Sequence, residues 1–466
     1  MSESSYSPRL RTAVVFCGAG TAGTYQAGVL RAMTEAGLKI DVLAGHGPGV
    51  MTALAGAIDG GARLWDASGP WSSPRLGGAY RWRQSLRLAG WGLVAAGAVL
   101  LSPLLVLALA AVLYAASLIA GLVHAPGAAA WLIDLYGRAM AVLFQPPIIP
   151  SIVPGALVLV MLLVFGVLAV TAASAWRREH SRRRLAGAFW WRLIGSPLEA
   201  DEPAGVCVEA LWQLVRGASN APRPAPADIG RRYVEILSEN LGQPGFRELL
   251  VGVHDLDARR DLVAAVLTGE PKAAFDRRRK GPGPREAEVM DLTGPTRAVL
   301  VDLLVGAQRL AVATAPHMMP FPADSYWRGE VHRISDRPEL AVRLIDEVAG
   351  IGVEQVILVG AAPPAAVPHA MRARPIDMGG RIGEVVRSVE SSAFEDAWSA
   401  AATRFSGVFV IRPDHNPIGP FDFGGVYDES SDRRRSIGEL MQQGFDDAYR
   451  QFIEPIVATG DKIEEF

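Results

Sequence analysis

Apolar positions fall into two regimes along the 466-residue chain. At the N-terminal end, short apolar runs are punctuated by glycine and followed by helical periodicity. "AVVFC" leads into "GAGTAG" and then "TYQAGVLRAM", and "IDVLAG" leads into "HGPG" and then "VMTALAGAI". This strand, glycine turn, helix order, repeated twice, predicts an α/β fold. After residue 180, helical patterns such as "GVCVEALWQLVRG" come first, then a Pro/Ala-rich breaker, "SNAPRPAPAD". Strand-like runs return at "FRELLVGVHDLD", "QRLAVATAP", "VEQVILVGAAP" and "SGVFVIRP". The basic stretch 276–286 reads as a solvated loop, and the tail from 431 as an amphipathic helix.

The interior obeys the second regime. Residues 88–123 and 139–176 contain no charged side chain, and each stretch exceeds the about 20 apolar residues needed to cross a bilayer. Two spans are expected. Arg81, Arg83 and Arg87 precede them, and Arg177, Arg178, Arg182, Arg183 and Arg184 follow; only Asp134 and Arg138 stand out between. Basic flanks stay cytoplasmic, so both ends are expected on that face, at a bacterial inner membrane. The pattern divides the chain into 1–85, a hairpin at 86–180, a remainder at 181–430 and a C-terminal helix at 431–466. One sheet built from both sides of the hairpin requires an even number of crossings, in agreement with the charges.

Composition narrows the partners. A net charge of −2 and a pI near 6.5 argue against nucleic acid. Cys17 and Cys207 give no disulfide framework, which fits a reducing compartment. The first residues carry no apolar core of signal-peptide length. Membrane lipids are the expected partner, no cofactor or metal is implied, and the oligomeric state stays open.

Gly18, Gly20 and Gly23 match G-x-G-x-x-G after a strand, with Asp41 about 20 residues on, which admits a nucleotide-binding reading. However, Asp41 precedes "VLAG" and so opens the second strand, where the nucleotide fold wants its acid at the end. Such a loop also serves as an oxyanion hole, paired with a nucleophile elbow one βα unit later. Gly45, Gly47 and Gly49 are spaced as that elbow.

On these residues the chain resembles the patatin-like phospholipases. The stretch "FCGAGTAGTYQAGVLRAMTEAGLKIDVLAGHGPGVMTALAGAIDGG" is similar to their opening. "LLVGVHDLD" and "ATAPHMMPFPADSYWRGEV" are similar to later blocks, so the likeness covers roughly 11–65 and 245–365. The resemblance implies a three-layer αβα sandwich, here interrupted by the two-helix hairpin, and a Ser–Asp dyad working on lipid acyl esters. It places Gly18, Gly20 and Gly23 in the oxyanion loop and Gly47 at the serine position. Aligning "YWRGEV" on the family's "YVDGGV" puts Arg328 at the aspartate position. Both catalytic side chains are then replaced. Two readings follow: a lipid- or acyl-binding pseudohydrolase, or an active acyl hydrolase using other residues.

Other residues carry side chains suited to such chemistry. His46 lies in the elbow one residue early, and Asp422 with Gly424 and Gly425 forms a second Asp–Gly–Gly-like turn; both are secondary catalytic candidates. Thr21 and Thr24 read as helix caps, and Cys17 as a small buried residue. His254, Asp255 and Asp257 lack a partner motif at ligand spacing.

Overall fold

The computed structural model describes residues 6–66, 68–123, 126–145, 152–179, 195–279, 284–364 and 378–458. The chain forms two units, residues 82–197 and the rest. In the larger unit, β1 (Thr12–Cys17), α1 (Ala22–Glu35), β2 (Val42–His46) and α2 (Gly49–Ala57) follow the order the sequence predicts.

The apolar insert consists of α3 (Gln84–Leu122), α4 (Pro126–Leu143) and α5 (Val153–Glu179). Three stretches, Gln84–Ser102, Leu104–Leu122 and Val153–Ser174, are long and apolar enough to cross a membrane. The first two belong to the single helix α3. The uncharged stretch 139–176 is therefore not one helix: α4 ends at Leu143, and α5 starts afresh at Val153. Leu104, Val112, Leu118, Leu162 and Leu163 all stand exposed. Apolar surface of that extent fits lipid better than water.

After the insert come α6 (Asp201–Arg216), α7 (Pro226–Asn240), β3 (Glu248–Asp255), β4 (Arg260–Val266), α8 (Gly269–Arg279), β5 (Val289–Asp291) and α9 (Leu300–Ala307). These are followed by β6 (His317–Pro320), β7 (Val331–Ser335), α10 (Leu340–Gly350), β8 (Gln355–Gly360), α11 (Met378–Ala402) and β9 (Gly407–Ile411). A small hairpin, β10 (Val426–Asp428) and β11 (Arg433–Arg435), precedes α12 (Ile437–Ala448).

The main sheet runs β5-β4-β3-β2-β1-β8-β9, with β7 paired to the end of β3 and β6 to β7. Its centre is parallel: β1 lies between β2 and β8, and β2 pairs with β3 across the whole insert. Both halves of the chain thus build one sheet. Alternation along β1 sorts its side chains into two cores, with Val14 and Phe16 in one and Ala13, Val15 and Cys17 in the other. Helices α1 and α2 cover the first face, and α10 and α11 the second, which gives three layers.

Several local expectations give way to tertiary structure. "QRLAVATAP" forms turns after α9 rather than a strand, because Leu310 and Thr314 are used in a local turn held by the Thr314 hydroxyl. Residues 276–279 extend α8 instead of starting a loop, with Arg278 reaching the Asp346 carbonyl. Residues 280–283, in the same basic stretch, lie outside the described residues. The expected tail helix is preceded by the β10–β11 hairpin, begins at Ile437 and passes into a π-helical turn at Tyr449–Ile453. Residues 459–466 lie outside the described residues.

Candidate functional site

Strand β2 ends in His46, and Gly47 turns the chain into α2 with a φ of +56°, a conformation glycine adopts without penalty. The strand–turn–helix elbow expected at 45–49 is present. Its crest has no space for a side chain: a Cβ on Gly47 would run into the Gly18 carbonyl oxygen and lie 2.8 Å from Asp336 Oδ2. Gly45 and Gly49 are equally tight, against the α2 backbone and Phe16 respectively.

The glycine loop after β1 is engaged from outside its own βα unit. Thr21 donates its amide N–H to the Pro420 carbonyl (3.1 Å) and its hydroxyl to the Gly419 carbonyl (2.8 Å). Gly20, at φ +55°, lets the Pro420 carbonyl come close where a Cβ would otherwise sit. The expectation that Thr21 caps α1 through its side chain is therefore corrected, since that hydroxyl is committed to Gly419. The Thr24 hydroxyl, fully buried, makes no cap bond either. Gly23 has its room taken by Trp71 and Pro48.

The carboxylate that faces the elbow is Asp336, just after β7. Arg328, the residue aligned with the family's aspartate, lies in the exposed turn 325–329 at φ +46°, its amide bonded to the Ser325 carbonyl. Asp336 is 1% exposed, as is His46, whose Nδ1–H donates to Asp336 Oδ1 across 3.0 Å. His46 therefore packs into the site. Burial opposes its charge, but the Asp336 carboxylate and its hydrogen bond, followed by Cys17, outweigh that and raise its pKa from 6.5 to about 10.

Glu390 of α11 approaches from the other side of β1. Burial first, and the nearby Asp336 charge second, push its pKa from 4.5 to about 8, against the opposing influence of His46, Arg387 and the Ala19 N–H. A carboxyl in this state is largely protonated at neutral pH. Sequence reasoning missed both acids. Asp336 lies 290 residues from His46, and Glu390 sits in an ordinary helical pattern; no local spacing connects either to the glycine motifs.

The remaining candidates are structural in their bonding. Asp422 Oδ2 accepts the Gly419 N–H at 2.8 Å, and its carbonyl accepts the Gly425 N–H. That turn holds the segment lying on the glycine loop. Asp41 accepts the Thr12 N–H at the opening of β2, away from the strand end where a ribose would be read. Asp255 pairs with buried His332 at 2.5 Å, His254 with Asp261, and Asp257 with Arg333. Among the described residues no group of histidine, cysteine and carboxylates forms a metal-binding cluster.

No family model matches the chain, and no curated protein matches it. Among solved structures, VipD from Legionella pneumophila aligns at a TM-score of 0.32 and 11% identity, over 97% of this chain and 68% of VipD.

Proposed function

We propose that this protein is a membrane-anchored, patatin-like acyl- or lipid-binding protein that does not hydrolyse esters by a serine–aspartate dyad. The observation that carries the reading is the crest of the elbow. A nucleophile at position 47 needs a Cβ, and the space for one is taken by the Gly18 carbonyl and Asp336. Acyl transfer requires an activated nucleophile within reach of its base, and the elbow supplies none. The loop donor at Thr21, already bonded to Pro420, further supports a frame put to another use.

The anchor is the apolar insert. Helix α3, at 39 residues, is about 58 Å long at about 1.5 Å per residue, nearly twice the about 30 Å hydrocarbon thickness. One continuous helix running in a single direction crosses once. A second crossing by α5 returns the chain, as the shared sheet demands. The arginine flanks support a cytoplasmic side for the sheet unit, at a bacterial inner membrane. Arg328, exposed and without an ion pair among the described residues, is suited to an anionic headgroup.

Purified full-length protein, offered phospholipid vesicles and short acyl esters, tests the reading. Vesicle binding with turnover at background is expected. Turnover well above background, or covalent labelling by a fluorophosphonate, would overturn it. Arg328→Ala is expected to weaken binding to anionic vesicles, and equal binding removes that residue from the proposal.

A further inference from the structure

In open α/β sheets, ligands gather at the carboxyl ends of the strands where the order reverses. Here that point lies between β1 and β8. A cavity of about 10 Å³ opens there, lined by Cys17 at the end of β1, His46 at the end of β2 and Glu390 of α11. The volume is that of about one water-sized group. Two of its lining atoms, His46 Nε2 and Glu390 Oε1, are buried and make no hydrogen bond. Parallel pairing of Phe16 with Gly45 brings the next residues, Cys17 and His46, side by side, and both line this cavity. His46 is in turn oriented at Nδ1 by Asp336.

A thiol, an imidazolium and a carboxylate in that order form a nucleophile, the proton-transfer group beside it and the group that orients that ring. The cavity limits the electrophile to a very small one. We propose that Cys17 is a peroxide-reactive thiol, oxidised by hydrogen peroxide to a sulfenic acid whose added oxygen occupies this cavity. Cys17 Sγ attacks one peroxide oxygen; the S–O bond forms as the O–O bond breaks. Sulfur is oxidised and the peroxide is reduced to water. His46 Nε2–H gives its proton to the departing hydroxide, forming water, and the thiol proton passes to Nε2 in its place. The sulfenic oxygen then accepts from the His46 Nε2–H, giving that buried nitrogen a partner. Reactive cysteines stand beside cationic or basic groups, whereas structural ones are inert. Cys207 is the inert case, its thiol pushed up to about 12 by burial, and it serves as an internal control.

The test uses the full-length protein in detergent, pulsed with hydrogen peroxide and trapped with a 1,3-diketone, each cysteine being read by mass spectrometry. The diketone adduct is expected on Cys17 and not on Cys207. Cys17 is expected to oxidise faster in the folded protein than in the same chain unfolded in urea. His46→Gln should slow the folded rate at least about tenfold, at the modest end of what a positioned proton donor contributes. Slower oxidation of Cys17 folded than unfolded, a rate matching Cys207, or an unchanged rate in a folded His46→Gln would overturn the proposal. The first comparison needs no variant, so it stands even where the substitution fails to fold. Ester turnover plays no part in the readout, so this result and the one on acyl binding are separable.

Discussion

His46 and Asp336 face each other across 3.0 Å beneath the elbow, each 1% exposed. Asp336 Oδ2 also bounds the space above Gly47. A carboxylate does stand at the emptied nucleophile position, and an imidazolium neutralises it. Removing one partner of such a buried pair strands the other's charge. Asp336→Ala is therefore expected to destabilise the fold by about 3–5 kcal/mol, read as a shift in the chemical-denaturation midpoint. A loss within about 1 kcal/mol would mean the pair is solvated.

Restoring serine at the elbow should not restore activity. Gly47→Ser adds a Cβ at a left-handed residue, costing about 1–2 kcal/mol, and overpacks the turn, costing about 1–3 kcal/mol more. A lower unfolding midpoint with no gain of ester hydrolysis is expected, alone or combined with Arg328→Asp. A stable, hydrolytic Gly47→Ser protein would show that the crest can open.

Stability should fall as pH rises. Glu390 has its folded pKa raised from 4.5 to about 8, so the fold holds its proton longer than the unfolded chain, and that advantage is lost as pH climbs through this window. His46, raised from 6.5 to about 10, contributes fully below 6.5 and loses its share as pH passes through 10. Both slopes have the same sign. Denaturation midpoints measured from pH 5 to pH 9 should decline, and Glu390→Gln should flatten the lower part of the curve.

Glu347 is fully buried among Arg278, Arg285 and Arg343, which joins α8, the segment after it and α10. Three cations left facing an apolar side chain repel one another. Glu347→Leu is expected to cost about 3–5 kcal/mol, with the loss reduced in high salt by screening.

Leu162 stands exposed near the middle of the α5 apolar stretch. Leu162→Arg places a charge costing about 2.5–3.5 kcal/mol at a helix centre in a bilayer. The variant should shift from the membrane to the soluble or aggregated fraction on cell fractionation. Undiminished membrane retention would mean that α5 does not span.

Sequence alone determined the features written in local periodicity. The strands β1, β2, β3, β8 and β9, the two glycine turns, the apolar insert and the requirement that the chain return to one sheet all follow from apolar spacing and glycine placement. These depend on neighbours a few residues apart. Tertiary structure decided what fills the site: Asp336 rather than a residue aligned by motif faces Gly47, Pro420 lies on the glycine loop, and Glu390 closes the cavity beside Cys17. Each is brought there by strand order and helix packing across hundreds of residues. The physical reason is that backbone propensity is short-ranged, whereas a buried charge is placed wherever the completed fold can pair it.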